Sequence, residues 1–203
     1  MDKRRRIIEA ARARFRHYGI PKTTMQEVAQ DAGVAVGTLY RYFKDKDDLL
    51  VACTDDFIDR HRRESEDALS AEGPPDDRLR RYVLARYRHC REVGTASRHA
   101  AELARAVLRL RPDRRREERA MMERTVVELL REGVGRGLFV CHDPARDTMV
   151  FLLSIAYCFP TATTSLDEWP REEWMLLVVD WFLDVWRSGS GPAAPPRTGA
   201  EGR

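Results

Sequence analysis

The sequence has few cysteines, and none of them has the spacing of a metal site or a redox pair. The four residues Cys53, Cys90, Cys141 and Cys158 are far apart, with no C-x-x-C pair. Cys90 and Cys141 each adjoin a histidine, but adjacent residues on a helix point in different directions, so neither pair can chelate a metal alone. We therefore expect reduced thiols, no metal and no cofactor. A regulator that senses redox state through a cysteine remains an alternative.

Long hydrophobic runs are also missing. The longest, Met149 to Phe159, is interrupted by Ser154 and falls far short of the ~20 apolar residues that span a bilayer. The first residues, MDKRRR, are not followed by the apolar segment of a secretory signal. We therefore expect no membrane segment and a cytoplasmic protein.

The short motifs of common enzymes are absent as well. The sequence contains no G-x-S-x-G, no G-x-x-x-x-G-K and no H-E-x-x-H. The acidic cluster Asp45, Asp47 and Asp48 fits the start of a helix better than a metal site. We therefore expect that the protein is not an enzyme. No repeat is visible and no segment has the pattern of a strand, which predicts an all-α fold.

Net charge is small, but its distribution is uneven. The 203 residues carry a formal charge of +3, and residues 1–50 hold eleven Lys or Arg against seven Asp or Glu. The positive field therefore belongs to the amino-terminal quarter. Lys3 to Arg6 forms a basic run just ahead of the first expected helix, either as a solvated tail or as an arm that touches phosphate or the minor groove.

The residues that follow predict a short helix with a sharp end. Thr24 and Glu27 have the spacing of a capping box, in which each side chain satisfies a backbone donor of the first turn. The helix should start at about Met25. Gly33 can adopt positive φ just beyond the last turn, which ends the helix abruptly.

A second short helix should follow, from about Ala35 to Phe43. Val36, Leu39 and Phe43 are expected to point inward, so the two helices form a helix-turn-helix. Its outward groups suit a DNA surface, because small, hydroxyl and phenolic groups can approach base edges and lysines can contact phosphates. The predicted base-facing residues are Gly37, Thr38 and Tyr40, and the predicted phosphate contacts are Thr24, Tyr42, Lys44 and Lys46.

This stretch resembles the DNA-binding domain of the TetR family of transcriptional regulators, over about Ile7 to Leu50. The matching residues are Thr24, Val28, Ala29, Ala32, Gly33, Val34, Gly37, Thr38, Leu39, Tyr40, Tyr42, Phe43, Lys46 and Leu49. The family often has Ser or Thr where this chain has Ala35, so the second helix should lack a side-chain cap. The resemblance implies a homodimeric regulator, most often a repressor, that a small molecule releases from a palindromic operator.

Helical patterns continue through the rest of the chain. An amphipathic helix from Asp47 to about Leu69 should link a helix-turn-helix domain, 1–46, to a larger helical ligand-binding and dimerisation domain, 47–187. Four more apolar stripes at helical spacing precede a final helix after Pro170. Residues 188–203 are rich in Gly and Pro and poor in apolar residues, which predicts a disordered tail.

The final helix, EEWMLLVVDWFLDVW, is apolar nearly all the way round. A helix of this kind cannot hide both of its stripes in a small domain, which favours a partner surface over purely internal core. The resemblance implies that it pairs, together with residues 145–157, with the same helices of a second copy in a four-helix bundle. The predicted dimer-interface residues are Trp174, Val178, Trp181 and Val185.

The larger domain has no explicit ligand motif. Several apolar and aromatic residues are candidates to line an effector cavity, although such residues are also typical of ordinary core. They are Phe57, Tyr82, Tyr87, Leu103, Met122, Phe151 and Tyr157. His99 and Glu102 are candidates for a polar contact there or for the helix surface. A helical carrier or adaptor without DNA binding is the second class of function that the pattern allows.

Overall fold

The all-α prediction is confirmed. A computed structural model describes residues 2–70, 72–95, 97–159 and 170–191, without the side chains of residues 56–58, 60, 61 and 115. Over these ranges the chain forms α-helices and one 3₁₀ turn, and no strand. The helices are α1 (Lys3–Tyr18), α2 (Met25–Asp31), α3 (Val36–Tyr42), α4 (Lys46–Ser70), α5 (Pro75–Thr95), α6 (Ala100–Leu110), α7 (Arg114–Gly135), α8 (Pro144–Ile155) and α9 (Glu172–Ser188), with the 3₁₀ turn at Ala156–Cys158.

The first three helices and the start of α4 enclose one hydrophobic core, which we call the amino-terminal core. Its members come from stripes at helical spacing, because such a spacing places them on one face of each helix. They are Ile7, Ile8, Ala11, Phe15, Met25, Val28, Ala29, Ala32, Leu39, Phe43, Leu49, Leu50, Ala52 and Cys53, joined by Val107 of α6. Leu103, Ala106 and Leu110 of α6 pack against the same core, so a distant helix completes it.

A second core, the carboxy-terminal core, lies among α5, α7, α8 and α9. Its centre is aromatic: the ring of Phe151 lies 5.3 Å from that of Phe182 and 5.6 Å from that of Trp186, both in edge-on geometry. Leu69, near the end of α4, packs against this core, whereas Leu49 and Leu50 at the start of the same helix belong to the amino-terminal core. Helix α4 therefore connects the two cores directly.

The basic run Lys3 to Arg6 was expected ahead of the first helix, and this prediction is wrong. The run forms the first turn of α1, because Asp2 caps the helix by accepting a hydrogen bond from the backbone N–H of Arg4. Arg5 pairs with Glu9 one turn later, which is a common stabilising spacing on a helix.

The expected boundaries near the carboxyl end hold with small changes. Residues 156 and 157 leave α8 for the 3₁₀ turn. α9 extends through Ser188, and Gly189 follows it with a φ of +67°, a left-handed cap suited to glycine. The predicted disordered tail therefore loses its first residue to α9, and residues 192–203 lie outside the described residues. Within those ranges, no helix is long and apolar enough to cross a membrane.

Candidate nucleic-acid interface

The start of α2 is held by the predicted capping box. The backbone N–H of Glu27 donates to the Thr24 hydroxyl at 3.3 Å, and a carboxylate oxygen of Glu27 accepts from the backbone N–H of Thr24 at 2.9 Å. The Thr24 hydroxyl also donates to that oxygen at 2.7 Å. These hydrogen bonds favour the ionised carboxylate and lower the pKa of Glu27. Thr24 is therefore the structural start of α2, and its proposed phosphate contact stays a prediction.

The turn between α2 and α3 is closed from α1. Gly33 has the predicted positive φ, +62°. The guanidinium of Arg6 donates to the carbonyl oxygens of Ala32 and Gly33, at 2.5 and 3.0 Å. A Cβ at Gly33 would lie 2.6 Å from that guanidinium, so glycine satisfies both the backbone and the space. Sequence reasoning missed this role of Arg6, because the two partners are 26 and 27 residues away.

Helix α3 presents an open outer face. As predicted, Ala35 provides no side-chain cap. A Cβ at Gly37 would meet no atom within 4 Å, and Tyr40 and Tyr42 are 51% and 43% exposed. Thr38 is half-buried between this face and the core. The face therefore offers hydroxyls on flat rings beside a position without side-chain bulk, as the sequence suggested.

One residue of α3 points outward although it was predicted to point inward. Val36 was expected to point inward but is 37% exposed, whereas Leu39 and Phe43 are buried. A helix of seven residues makes only two turns, and Leu39 together with Phe43 just past its end supplies the buried contacts. Val36 therefore adds an apolar group to the outer face.

The acidic residues after α3 cap α4, as predicted. The backbone N–H of Asp48 donates to the Asp45 carboxylate at 2.8 Å, and the backbone N–H of Lys44 donates to the Asp48 carboxylate at 2.9 Å. The Lys44 side chain is exposed beside this cap. It is therefore available to an external phosphate.

Lys46 occupies a different place from Lys44. Its ammonium donates to the carbonyl oxygens of Ile20 at 2.9 Å and Thr23 at 3.1 Å, in the loop between α1 and α2. The buried Thr23 hydroxyl in turn donates to the carbonyl oxygen of Gly19 at 2.8 Å. Lys46 thus ties the start of α4 to the loop that precedes the capping box. Its proposed phosphate contact would use the third N–H of the ammonium.

We expect substitution of the two lysines by methionine to have different effects on stability and on DNA binding. Lys46→Met should lower the free energy of unfolding by about 1.5–3 kcal/mol, because two carbonyl acceptors lose a charged donor. Lys44→Met should leave stability unchanged, since its side chain is exposed, but should reduce the slope of log affinity against log salt by about one. Denaturant unfolding and DNA binding across a salt series measure the two effects. Equal stability of the two variants would contradict the assigned role of Lys46.

The predicted effector-cavity residues do not form one site. Four of them, Tyr82, Tyr87, Met122 and Phe151, are members of the carboxy-terminal core. Leu103 packs against the amino-terminal core, because the apolar stripe of α6 faces that way, and Tyr157 is 74% exposed in the 3₁₀ turn. Leu103 and Tyr157 therefore lie apart from the other four, and a shared effector cavity stays a prediction. The seventh residue, Phe57, has its side chain outside the described residues.

Other candidate ligand features are also dispersed. An open groove of about 550 Å³ lies at the connection between α4 and α5, and none of the predicted residues lines it. His99 and Glu102 face each other at 3.3 Å next to Gly19, where α6 meets the end of α1. They therefore lie at the contact between α6 and the helix-turn-helix rather than within the carboxy-terminal core.

Helices α8 and α9 pack against each other, and each exposes an apolar stripe. On α9, Trp174, Leu177 and Trp181 are 61%, 58% and 60% exposed. α8 and the turn after it expose Val150, Leu153 and Tyr157 in the same way. The other two predicted interface residues are less exposed: Val178 is partly buried against the carboxy-terminal core, and Val185 is half-buried. We call this surface the α8–α9 face.

Three of the four cysteines have raised pKa values, which disfavour the reactive thiolate. Burial raises the pKa of Cys90 to about 11, and burial together with a hydrogen bond to Asp147 raises that of Cys141 to about 12. Burial also raises the pKa of Cys158. The thiolate is the reactive form, so these three thiols are held in the unreactive state. In the part of the chain that the structure describes, no three His, Cys, Asp or Glu residues are placed to hold a metal.

Comparison with known proteins identifies the helix-turn-helix. Residues 7–53 match the family model described as "Bacterial regulatory proteins, tetR family". The chain is 36% identical over 115 residues to the HTH-type transcriptional regulator HbdR of Aromatoleum sp. (strain CIB), covering 56% of this chain and 48% of that protein. It is 40% identical over 78 residues to the HTH-type transcriptional repressor KstR of Mycolicibacterium smegmatis, covering 38% of each. The matches thus span about half or less of these relatives, which are named as regulators and not as enzymes.

Solved structures extend the likeness to nearly the whole fold. A TetR/AcrR-family transcriptional regulator from Thermobifida fusca superposes with a TM-score of 0.68 at 24% identity, over 92% of this chain and 100% of that one. A transcriptional regulator from Cytophaga hutchinsonii gives a TM-score of 0.66 at 23% identity, over 89% and 96%. At these identities the likeness shows a shared fold. The helices after residue 53 therefore follow the same architecture as those two regulators.

Proposed function

We propose that the protein is a homodimeric transcriptional regulator of the TetR family, whose model residues 7–53 match, and that it acts in the cytoplasm. It binds a palindromic operator and acts as a repressor that a small molecule releases. The observation that carries this proposal is the outer face of α3, where Gly37, Tyr40 and Tyr42 are exposed on a helix fixed by buried Leu39 and Phe43.

The proposed DNA contact rests on the size and position of α3. Helix α3 is short, exposed and preceded by a tightly closed turn, which is the form of a recognition helix that lies in the major groove. Gly37, Thr38 and Tyr40 would face the bases. Thr24, Tyr42, Lys44 and Lys46 would position the domain on phosphates, which fix register without reading sequence.

Dimerisation is supported by the α8–α9 face. Three aromatic side chains, Trp174, Trp181 and Tyr157, are more than half exposed on it. Aromatic residues in a contiguous apolar patch are typical of protein interfaces. A two-fold dimer through this face would present two copies of α3, so the operator would have half-sites about 34–36 Å apart or multiples of that distance.

Release of the operator would pass through α4. This helix contributes Leu49 and Leu50 to the amino-terminal core and Leu69 to the surface of the carboxy-terminal core. An effector that repacks the second core would tilt α4 and change the spacing of the two recognition helices. Coupling of about 1–3 kcal/mol is typical for such an effect, and a nearly complete switch needs about 5.5 kcal/mol.

The alternative functions have less support. A carrier or adaptor without DNA binding would have no need for the exposed tyrosines on the outer face of α3 or for the exposed Lys44 just after it. A redox regulator would need a reactive thiolate, whereas the pKa values of Cys90 and Cys141 are raised to about 11 and about 12. Steep loss of binding with salt would separate a phosphate-binding regulator from a carrier.

The proposal is tested by selecting bound duplexes from a random DNA library with the purified protein. We expect a palindrome to be enriched by the wild type and by Tyr18→Ala, and lost with the double variant Tyr40→Ala, Tyr42→Ala. Tyr18 is a matched control, because it is a tyrosine with 46% exposure on α1, outside the proposed interface. If both variants and the wild type enrich the same sequences, or none is enriched by a folded dimer, the proposed function is wrong.

The same selection also tests the different roles proposed for Tyr42 and Thr38, which are a phosphate contact and a base contact. Tyr42→Phe should lower affinity to a similar extent for every sequence, because a phosphate contact carries no base information. Thr38→Ala should change the preference at one position of each half-site. A change of base preference with Tyr42→Phe would refute this assignment.

A further inference from the structure

Three polar groups along the contact between α4 and α5 have no hydrogen-bond partner among the described residues. They are the hydroxyls of Ser65 and Tyr82 and the Nε–H of Arg86. Ser65 and Tyr82 are each only 2% exposed. Buried polar groups in folded proteins are almost always hydrogen-bonded, so each exception requires a structural or functional reason.

The positions of the three residues along α4 and α5 indicate that they are neighbours. α4 and α5 are joined by a short connection and run antiparallel, and the side chain of Arg78 donates to the carbonyl oxygen of Leu69 at 2.8 Å. Leu69 and Arg78 are therefore neighbours across this contact. Ser65 lies one turn before Leu69 on α4 and Tyr82 lies one turn after Arg78 on α5, so these two residues are expected to lie opposite each other. Arg86 follows one turn later on α5, and its guanidinium carbon lies 5.8 Å from the centre of the Tyr82 ring.

The charge of Arg86 is also unmatched by a carboxylate. Other arginines of α5 form ion pairs: Arg78 with Glu132, Arg80 with Asp180 and Arg88 with Glu172. Arg86 is half-buried, and no carboxylate of the described residues lies within ion-pair distance of it. The Nε–H of Arg86 is withdrawn from water without a partner, which is unfavourable, and carboxylate is the best geometric partner of a guanidinium.

The surroundings define the rest of the ligand. Tyr82 is a member of the carboxy-terminal core, beside Leu79 and Val83 of the same helix. A molecule that reaches the three groups must therefore place its remaining atoms among apolar side chains. Two hydroxyls beside an unmatched guanidinium, next to an apolar core, are complementary to an anionic head on an apolar body.

We propose that Ser65, Tyr82 and Arg86 bind the carboxylate of an apolar carboxylic acid, and that such an acid is the effector of this regulator. The proposal rests on the proposed function above, since it names the chemical class of the molecule that releases the operator. Arg86 supplies the charge, and the two hydroxyls donate to the carboxylate oxygens.

The first test is calorimetric titration of the full chain with hexanoate, decanoate and hexadecanoate, each compared with the primary alcohol of equal length. We expect saturable binding of at least one acid, and binding of its alcohol weaker by at least 10-fold. Arg86→Met and Tyr82→Phe should each weaken the acid by 10- to 100-fold, because a hydrogen bond to a charged group is lost. Arg88→Met is the matched control, since Arg88 is exposed on the same helix and pairs with Glu172, and it should bind like the wild type.

A second measurement tests the unpartnered hydroxyl without any ligand. Tyr82→Phe should keep or raise the melting temperature of the ligand-free protein, because it removes a buried group that has no partner. Tyr87→Phe is the contrast, since the hydroxyl of Tyr87 donates to the carbonyl oxygen of Pro170 at 2.5 Å, and it should lower the melting temperature. A lower melting temperature for Tyr82→Phe would show that its hydroxyl is already satisfied, by water for example, and would overturn the proposal.

Further results of these experiments also decide whether the carboxylate site exists. Equal binding of acid and alcohol, or acid binding unaffected by Arg86→Met, would overturn the carboxylate site. The operator selection is performed without any acid, so an enriched palindrome combined with no acid binding refutes the effector class and leaves the regulator in place. Acid binding without an enriched palindrome refutes the regulator and leaves a carboxylate-binding helical protein.

Discussion

Replacing Trp174 and Trp181 together by glutamate is expected to convert the proposed dimer into a monomer and to lower operator affinity at least 100-fold. Both side chains are about 60% exposed on the α8–α9 face. Large aromatic residues dominate interface energies, and a carboxylate left without a partner at the centre of an interface adds a further penalty. A monomer holds only one half-site, so the second recognition helix no longer contributes to affinity. Sedimentation equilibrium and titration of the selected operator measure the two effects.

The control for this variant is Leu138→Glu. Leu138 is 44% exposed in the connection between α7 and α8, so the substitution adds a similar charge to an exposed apolar position outside the α8–α9 face. It should leave both the dimer and operator binding intact. Both variants should keep the helix content of the wild type, because the replaced side chains lie at the surface. A tryptophan double variant that remains dimeric would show that the α8–α9 face is not the interface.

Substitution of Gly133 by alanine is expected to have the largest effect on stability. A Cβ at this position on α7 would lie 2.0 Å from a ring carbon of Phe139, which is 4% exposed. The ring cannot easily retreat, since it belongs to the carboxy-terminal core and lies 6.0 Å from the Trp186 ring. Overpacking of this kind costs about 1–3 kcal/mol and occasionally more, so we expect a loss of about 3 kcal/mol in the free energy of unfolding.

Gly135→Ala provides the matched comparison two residues later on the same helix. A Cβ at Gly135 would meet no atom within 4 Å. Alanine is the better helix former, so this substitution should be neutral or should stabilise the protein by up to about 1 kcal/mol. Denaturant unfolding of the two variants at equal protein concentration decides the matter. Equal stability would mean that α7 or Phe139 moves aside without a loss in the free energy of unfolding.

The parts of the fold that the sequence predicted are those controlled by near neighbours. The capping box of Thr24 and Glu27, the positive φ of Gly33 and the acidic cap at Asp45 involve residues at most four apart. Their geometry depends on local backbone groups that the sequence order itself brings together. The exposure of Trp174 and Trp181 was predicted for a similar reason, since one helix cannot bury two apolar stripes.

The parts that sequence reasoning missed depend on distant partners. Arg6 was expected in a tail or an arm, whereas it holds the turn at Gly33, and Lys46 serves the loop at Ile20 and Thr23. An apolar stripe predicts that a face is buried but does not say against which core, so the sequence did not show that Leu103 packs against the amino-terminal core. Unpartnered polar groups such as Tyr82 are likewise visible only once all neighbours are in place.

The packing of α6 against the amino-terminal core means that the first 53 residues cannot be transferred to another protein as a complete unit. The similarity to the family model ends at residue 53, but Val107, which completes the same core, lies more than fifty residues later. A fragment cut after the start of α4 would leave an apolar notch open to water. The structural unit that carries the proposed recognition helix is therefore discontinuous in sequence, and a chimera that exchanges this unit between regulators should exchange α6 with it.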